Sequence, residues 1–241
     1  MMRERGFSLV ELAVVMVVVT LLLGGLWMPL SAQNEVRRSV QTQNMLAMAH
    51  DALLGYAALQ GRLPCPTTAT DAGIGQYCTE DAATCGVATA TVQSHGRCAT
   101  PLNGFLPAVE LGLQPVDATG RLLDGWNQPV RYAITTDQHF TSADGLKSIW
   151  SNPATPPIPN IEICQEAACG TILSKSAVAV IFSTGRSGAT GPLGVDEIEN
   201  LEAPGDTRFI SRTVSPDFDD RVLWLSPYLL YGRLIAAGRL P

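Results

Sequence analysis

Arg3–Leu12 reads RERGFSLVEL and runs straight into LAVVMVVVTLLLGGLWMPL, Leu12–Leu30. The second stretch carries no charge, and Thr20 is its only polar side chain, yet the carboxylate of Glu11 stands at its threshold. Its 19 residues, at about 1.5 Å each, come close to the ~30 Å of bilayer hydrocarbon, so a single spanning helix over about residues 9–30 is feasible. A signal-peptide core is usually shorter, roughly 7–15 residues. The competing reading is a cleaved secretory signal with PLSAQ as its processing site and Gln33 as the new N-terminus. Ala32 suits that site, but Leu30 occupies a position where a small residue is wanted.

Glu11 admits two explanations. Ser8–Glu11 fits the S-x-x-E capping box, in which the serine caps a helix start and the glutamate reaches back to a free backbone N–H. An acid in the first helical turn also suits the helix dipole. A carboxylate that enters lipid, in contrast, costs several kcal/mol unless paired, so it asks for a named partner.

The residues ahead of Glu11 name one. GFSLVEL before an uncharged apolar run resembles the N-terminus of type IV pilins and of the pseudopilins of type II secretion. The resemblance implies that Met1–Gly6 is a prepilin leader and that prepilin peptidase, a membrane aspartyl peptidase, cuts between Gly6 and Phe7. It implies methylation of the new Phe7 amine and makes Glu11 the fifth mature residue, paired in the filament with the Phe7 amine of a neighbouring subunit. A charge pair in low dielectric is strong and register-sensitive, so it can align subunits whose other contacts are apolar and non-directional. The implied partners are prepilin peptidase, other pilin or pseudopilin subunits, the inner-membrane assembly platform and membrane lipid.

Beyond the apolar run, Val36, Val40, Leu46, Ala49, Leu53 and Ala57 recur mostly every three or four residues, the spacing of an amphipathic helix. One long helix is expected over residues 7–61, interrupted or kinked near Gly24, Gly25 and Pro29. Gly61 and the Pro64/Pro66 pair then stop it. Arg3 and Arg5 before the anchor balance Arg37 and Arg38 after it, so charge does not orient it. The cysteines do: all six follow the helix, which suits an oxidising compartment such as the periplasm. The reading is a single-pass bacterial inner-membrane protein whose residues 62–241 form a periplasmic globular domain that later joins a filament.

From Gln33 onward there are 14 basic and 20 acidic side chains. That surplus of acid argues against a nucleic-acid-coating surface. The segment after Arg62 is rich in Thr, Ala and Gly, reads as a long loop and needs staples. Cys65, Cys78, Cys85 and Cys98 are spaced 13, 7 and 13 apart, and Cys164 and Cys169 form a separate close pair. No C-x-x-C occurs, which argues against a zinc ribbon. Local closure favours Cys164–Cys169. The other four allow three connectivities, of which the nested one, Cys65–Cys98 outside Cys78–Cys85, best returns the chain from the helix end to GFLPAVELGL.

Pro129–Thr136, Ala177–Thr184 and Arg221–Leu225 are β-branched and aromatic-rich and read as strands. Ser226–Leu240 starts with a capping serine and a proline, as a helix does. The fold class is therefore α+β: a long N-terminal, membrane-spanning helix packed on a small antiparallel sheet, with disulfide-stapled loops. LPCP, GFLPAVELGL and DGWNQPVRYAI, within Leu63–Ile134, also resemble pseudopilin globular domains, although Asn127 stands where glycine is usual after the tryptophan.

Catalytic readings find little support. GRSGATG, 185–191, lacks the lysine of a phosphate loop and reads as a turn. Asp217, Asp219 and Asp220 are either a calcium ligand set, as in some major pseudopilins, or a solvated turn without the glycine and final glutamate of an EF-hand. No H-E-x-x-H or G-x-S-x-G occurs, and His50 falls on the long helix as a surface residue. The expectation is a non-enzymatic, pilin-like structural subunit, a minor one given its irregular, cysteine-rich domain, of a type IV pilus or a type II secretion pseudopilus. It needs no cofactor unless calcium binds. The alternative is a membrane-anchored or secreted periplasmic binding module or hydrolase with an ordinary signal sequence.

Overall fold

The computed structural model describes residues 8–70, 72–77, 96–142, 145–147, 157–191, 193–201 and 206–240, with side chains 22–32 left outside that description. Helix α1, Leu9–Gln60, begins at the N-cap Ser8 and ends where Gly61 takes the left-handed conformation (φ 71°) and donates its N–H to the Ala57 carbonyl. Glycine adopts that conformation without a Cβ penalty, which is why it closes helices. Arg239, from the far end of the chain, donates its Nε to the Ala58 carbonyl at 2.9 Å and a second N–H to the Leu59 carbonyl. A cation thus satisfies carbonyls that every helix C-terminus leaves unpaired.

Four strands make the central sheet: β1 Gly104–Phe105, β2 Arg131–Ile134, β5 Ala179–Ser183 and β7 Arg221–Leu225, in the order β1-β2-β5-β7 and antiparallel throughout. A second sheet holds β3 Ile161–Cys164 between β4 Ile172–Ala177 and β6 Arg208–Ile210. Its β3–β4 pair is antiparallel and its β3–β6 pair parallel. Three helices follow β5 in sequence: α2 Ser187–Thr190, α3 Val195–Leu201 and α4 Pro227–Ala236.

The central sheet is a middle layer, and the alternation along its strands shows why. On one face Tyr132, Ile134, Ala179, Ile181 and Leu225 pack against Met45, Leu46, Ala49 and Leu53 of α1 and against Leu230 and Leu234 of α4. On the other, Ala133, Val180 and Phe182 pack against Ile161, Ile163, Ala177 and Phe209 of the second sheet. Every residue of β5 is therefore buried. A strand covered on both faces needs an unbroken apolar run rather than an alternating one, and AVAVIF supplies it.

The turn before β2 presses against α1. A Cβ on Gly125 would run into the backbone of Arg38, and the Gly125 N–H donates to Thr42 Oγ1 at 3.0 Å. Two residues on, Asn127 sits at φ 61°, the left-handed region. Asparagine is among the few side chains that tolerate it, so it replaces the usual glycine here without breaking the turn.

The structure departs from expectation in several places. Helix α1 runs through Gly24, Gly25 and Pro29 without a break. Its buried face starts at Thr42, while Val36 and Val40 are 64% and 49% exposed, because the domain meets this part of the helix only locally, at Arg38 and Ser39. His50 is half-buried beside Asp51 rather than a free surface residue. The second sheet was not foreseen, nor was its parallel pair. Among the described residues no helix is long and apolar enough to cross a membrane; the run Leu12–Leu30 extends into positions whose side chains lie outside the description. Cys65 is bonded to Cys98, and Cys164 to Cys169. Cys78 and Cys85 lie outside the described residues, as does most of the Thr/Ala/Gly-rich loop around them.

Candidate functional site

Two constellations carry chemistry. The first is the helix start. The Ser8 N–H donates to Glu11 Oε2 at 3.0 Å, and the Glu11 N–H donates back to Ser8 Oγ at 3.4 Å. Both halves of the capping box are formed, so the Glu11 carboxylate neutralises an otherwise unpaired donor at the positive end of α1. Gly6 and Phe7 lie outside the described residues. Beyond the cap, Leu9 to Leu21 stands clear of the domain on all sides, with Leu9 87% and Leu21 71% exposed. Thr20 hides its hydroxyl by donating to the Met16 and Val17 carbonyls. An apolar cylinder with no buried side of its own needs an apolar environment from elsewhere.

The second constellation lies at the ends of β5 and β7. Asp219 accepts the N–H groups of Arg186 and Ser187 on one oxygen and the Ser187 hydroxyl on the other, at 2.7–3.0 Å. GRSGATG is thus not a mere turn: part of it winds into α2, and its first N–H groups hold this carboxylate. Glu197, on α3, accepts the Asp219 N–H at 2.8 Å, the Ser187 hydroxyl at 3.1 Å and the Gly194 N–H at 2.9 Å. Asn200, one helical turn further on, donates to Asp220 Oδ2 at 2.8 Å and brackets Ile210 of β6 with a second pair of bonds. Carboxylate oxygens of Glu197, Asp219 and Asp220 lie within 4.8 Å of one another.

Asp217 is not part of this group, a correction to the trio read from sequence. Its carboxylate is held by Arg212 Nη2 at 2.9 Å and by the Ser215 hydroxyl at 2.7 Å, and Arg212 also bridges to Asp196. Glu197 stands in its place. The sequence signal was slight: Glu197 and Asn200 are polar residues three apart on one face of a short helix, and both are buried.

The electrostatics follow from burial. Loss of water pushes the Asp220 carboxyl up to about 7; the Asn200 hydrogen bond opposes this, and the charges of Glu197 and Asp219 add to it. Asp124, in the turn against α1, is raised by burial too, although the Ser183 hydroxyl and the Trp126 and Gln128 N–H groups donate to it.

Residues 1–27 match the family model of the prokaryotic N-terminal methylation motif. Neither a curated protein nor a solved structure matches the chain. The methylation motif runs into the start of a long helix that lies on an antiparallel sheet, with two disulfides among the described residues, an arrangement that supports a resemblance to the type IV pilins and pseudopilins.

Proposed function

We propose that this chain is the precursor of a minor filament subunit of a type IV pilus or a type II secretion pseudopilus, and that it acts by assembly rather than catalysis. The observation that carries the reading is the methylation motif over residues 1–27. Prepilin peptidase cuts between Gly6 and Phe7 and methylates the Phe7 amine. Before assembly the anchor, about residues 9–30, crosses the inner membrane once and leaves the globular domain in the periplasm. The all-round exposure of Leu9 to Leu21 supports this use, since such a surface suits lipid first and neighbouring helices later.

Glu11 then has two successive roles. In the precursor it caps its own helix through the Ser8 N–H. In the filament it pairs with the methylated Phe7 amine of a neighbour, which removes the cost of a desolvated carboxylate and fixes the register between subunits.

Mass spectrometry of chain produced with and without prepilin peptidase tests this reading. The expected mature N-terminus is N-methyl-Phe7, appearing only with the peptidase; a bulky residue at Gly6 leaves precursor. An N-terminus at Gln33 would replace the reading with that of an ordinary exported protein. Glu11→Leu is expected to leave cleavage intact and to reduce incorporation into filaments. Full incorporation of that variant would reduce Glu11 to a helix cap.

A further inference from the structure

Beside the C-terminal end of α1 lies a cavity of about 190 Å³ that neither constellation uses. Arg97, Pro101, Thr135, Thr136, Gln138 and Thr141 line it, so the stretch after Gly96 meets the chain that leaves β2. The Leu63 N–H, just past α1, donates to the Phe140 carbonyl at 2.8 Å and fixes the cavity to that end of the helix. Its walls are held from behind. Cys98 is bonded to Cys65, and the Ile134 N–H donates to the Pro101 carbonyl at 2.7 Å. Gly96 (φ 67°) lies so close to Ser142 that a Cβ would meet its backbone. The buried hydroxyls are already bonded: Thr135 donates to Asn160 Oδ1 at 2.7 Å, and Thr141 to the Gly96 carbonyl. The exposed rim is different. Among the described residues the Arg97 guanidinium has no ion pair or hydrogen bond, and the Gln138 amide has no partner. The Thr136 hydroxyl accepts from Asn160 Nδ2 at 2.9 Å and keeps its own proton to donate. The nearby carboxylate, Asp137, is held by His139 and by the Ile158 N–H and does not line the cavity.

We propose that this cavity binds a small hydroxylated carboxylate of the sugar-acid class. Arg97 takes the carboxylate, and Thr136 and Gln138 take ring hydroxyls. A guanidinium meets a planar carboxylate with two parallel N–H bonds. An amide and a hydroxyl each offer donor and acceptor, the pattern that sugar hydroxyls answer. One cation matches one negative charge, whereas a phosphate, with more charge and little to donate, would call for more cations. The volume falls below the roughly 300–1,000 Å³ of drug-sized sites, so it holds one ring rather than a chain. The rise of α1 puts Gly61 about 60 Å beyond Leu21, so the ligand is met at the end of the molecule away from the free apolar half. The inference concerns the globular domain alone and does not depend on the filament reading.

The test uses the full chain in detergent and ligand-observed NMR titrations with galacturonate, galactose and inorganic phosphate. Wild type is expected to bind galacturonate with a dissociation constant of about 1 mM or tighter, the affinity that ordinary ligand efficiency gives ~13 non-hydrogen atoms. Galactose, which lacks the carboxylate, and phosphate, which lacks the ring, are each expected to bind at least tenfold more weakly. Arg97→Gln is expected to lose tenfold or more in galacturonate affinity, and Gln138→Ala about two- to tenfold. Both should melt as wild type does, since neither side chain has a partner inside the protein. Should Arg97→Gln melt lower, Gln138→Ala is read in its place. Arg37→Gln, which removes an exposed cation far along α1, is expected to bind as wild type does. No binding of galacturonate by wild type at about 10 mM, well above the expected constant, overturns the proposal. So does galactose or phosphate bound as tightly as galacturonate, unaltered binding by Arg97→Gln, or an equal loss in Arg37→Gln.

Discussion

One helix meets two environments. Between Thr42 and Ala57, α1 buries a single face: Ala49, Leu53 and Ala57 are fully covered, while their neighbours around the helix face water. Between Leu12 and Leu21 the same helix is apolar apart from Thr20 and covered on no side. The first pattern is that of a helix docked on a sheet; the second is that of a helix whose packing partners lie outside the chain. The two halves therefore contribute to different free energies. The docked half stabilises the domain, and the free half contributes little to that stability.

Core truncation should separate them most sharply. Leu53→Ala removes a fully buried side chain from the face that α1 presents to the sheet and is expected to destabilise the domain by about 2–5 kcal/mol. Val14→Ala, in the free half, is expected to change domain stability by less than about 0.5 kcal/mol. Denaturant unfolding of both variants in the same detergent checks this. Equal losses would mean that the free half folds back on the domain and that the division is wrong.

The disulfides sharpen the comparison from the other side. Cys65–Cys98 spans a sequence separation of 33 and ties the first residues after α1 to the loop that returns to β1. Cys164–Cys169 spans only 5. Chain entropy assigns the longer loop about 3.8 kcal/mol and the shorter about 2.2. Replacing Cys65 and Cys98 with alanine should thus lower the melting temperature more than replacing Cys164 and Cys169. The reverse order would show that the small loop, packed on Ile210 and Phe218, holds more of the structure than its length suggests.

The legibility of this molecule tracks how local each feature is. GFSLVEL is a contiguous motif, and the family match over residues 1–27 spans it. Strands β2, β5 and β7 fall inside the segments read as strands, because a central sheet needs β-branched runs that announce themselves. The second sheet gave no such signal. Strand β6 is three residues long, and the two outer residues of β4, Ile172 and Leu173, are exposed. Its β3–β6 pairing is parallel and joins segments far apart in the chain, so no hairpin turn marks it. The exposed Val36 and Val40 were legible as periodic but not as uncovered, since periodicity does not say which positions a distant segment will cover. The carboxylate cluster was half legible for the same reason. Asp219 and Asp220 are neighbours in sequence, whereas Glu197 arrives only through the placement of α3.

The boundary between the two halves of α1 offers the smallest effect. Where the helix leaves the domain, Arg186 Nη1 reaches Glu35 Oε1 at 3.1 Å, and the two side chains are 65% and 58% exposed. A pair so open to water gains little Coulomb energy, loses side-chain entropy and is screened by salt, so it should be worth about 0.2–1 kcal/mol. A double-mutant cycle with Glu35→Ala and Arg186→Ala is expected to return a coupling within that range at low ionic strength and near zero at high salt. Two hydrogen bonds and the core already fix α1 just beyond this point: Arg221 to Ser39 at 2.7 Å, Gly125 to Thr42, and the apolar contacts that start at Met45. Loss of the Glu35 bridge should leave those in place and the docked half intact. A coupling well above about 1 kcal/mol that survives salt would place the end of the docked half at Glu35, about two turns earlier than the burial of Thr42 puts it.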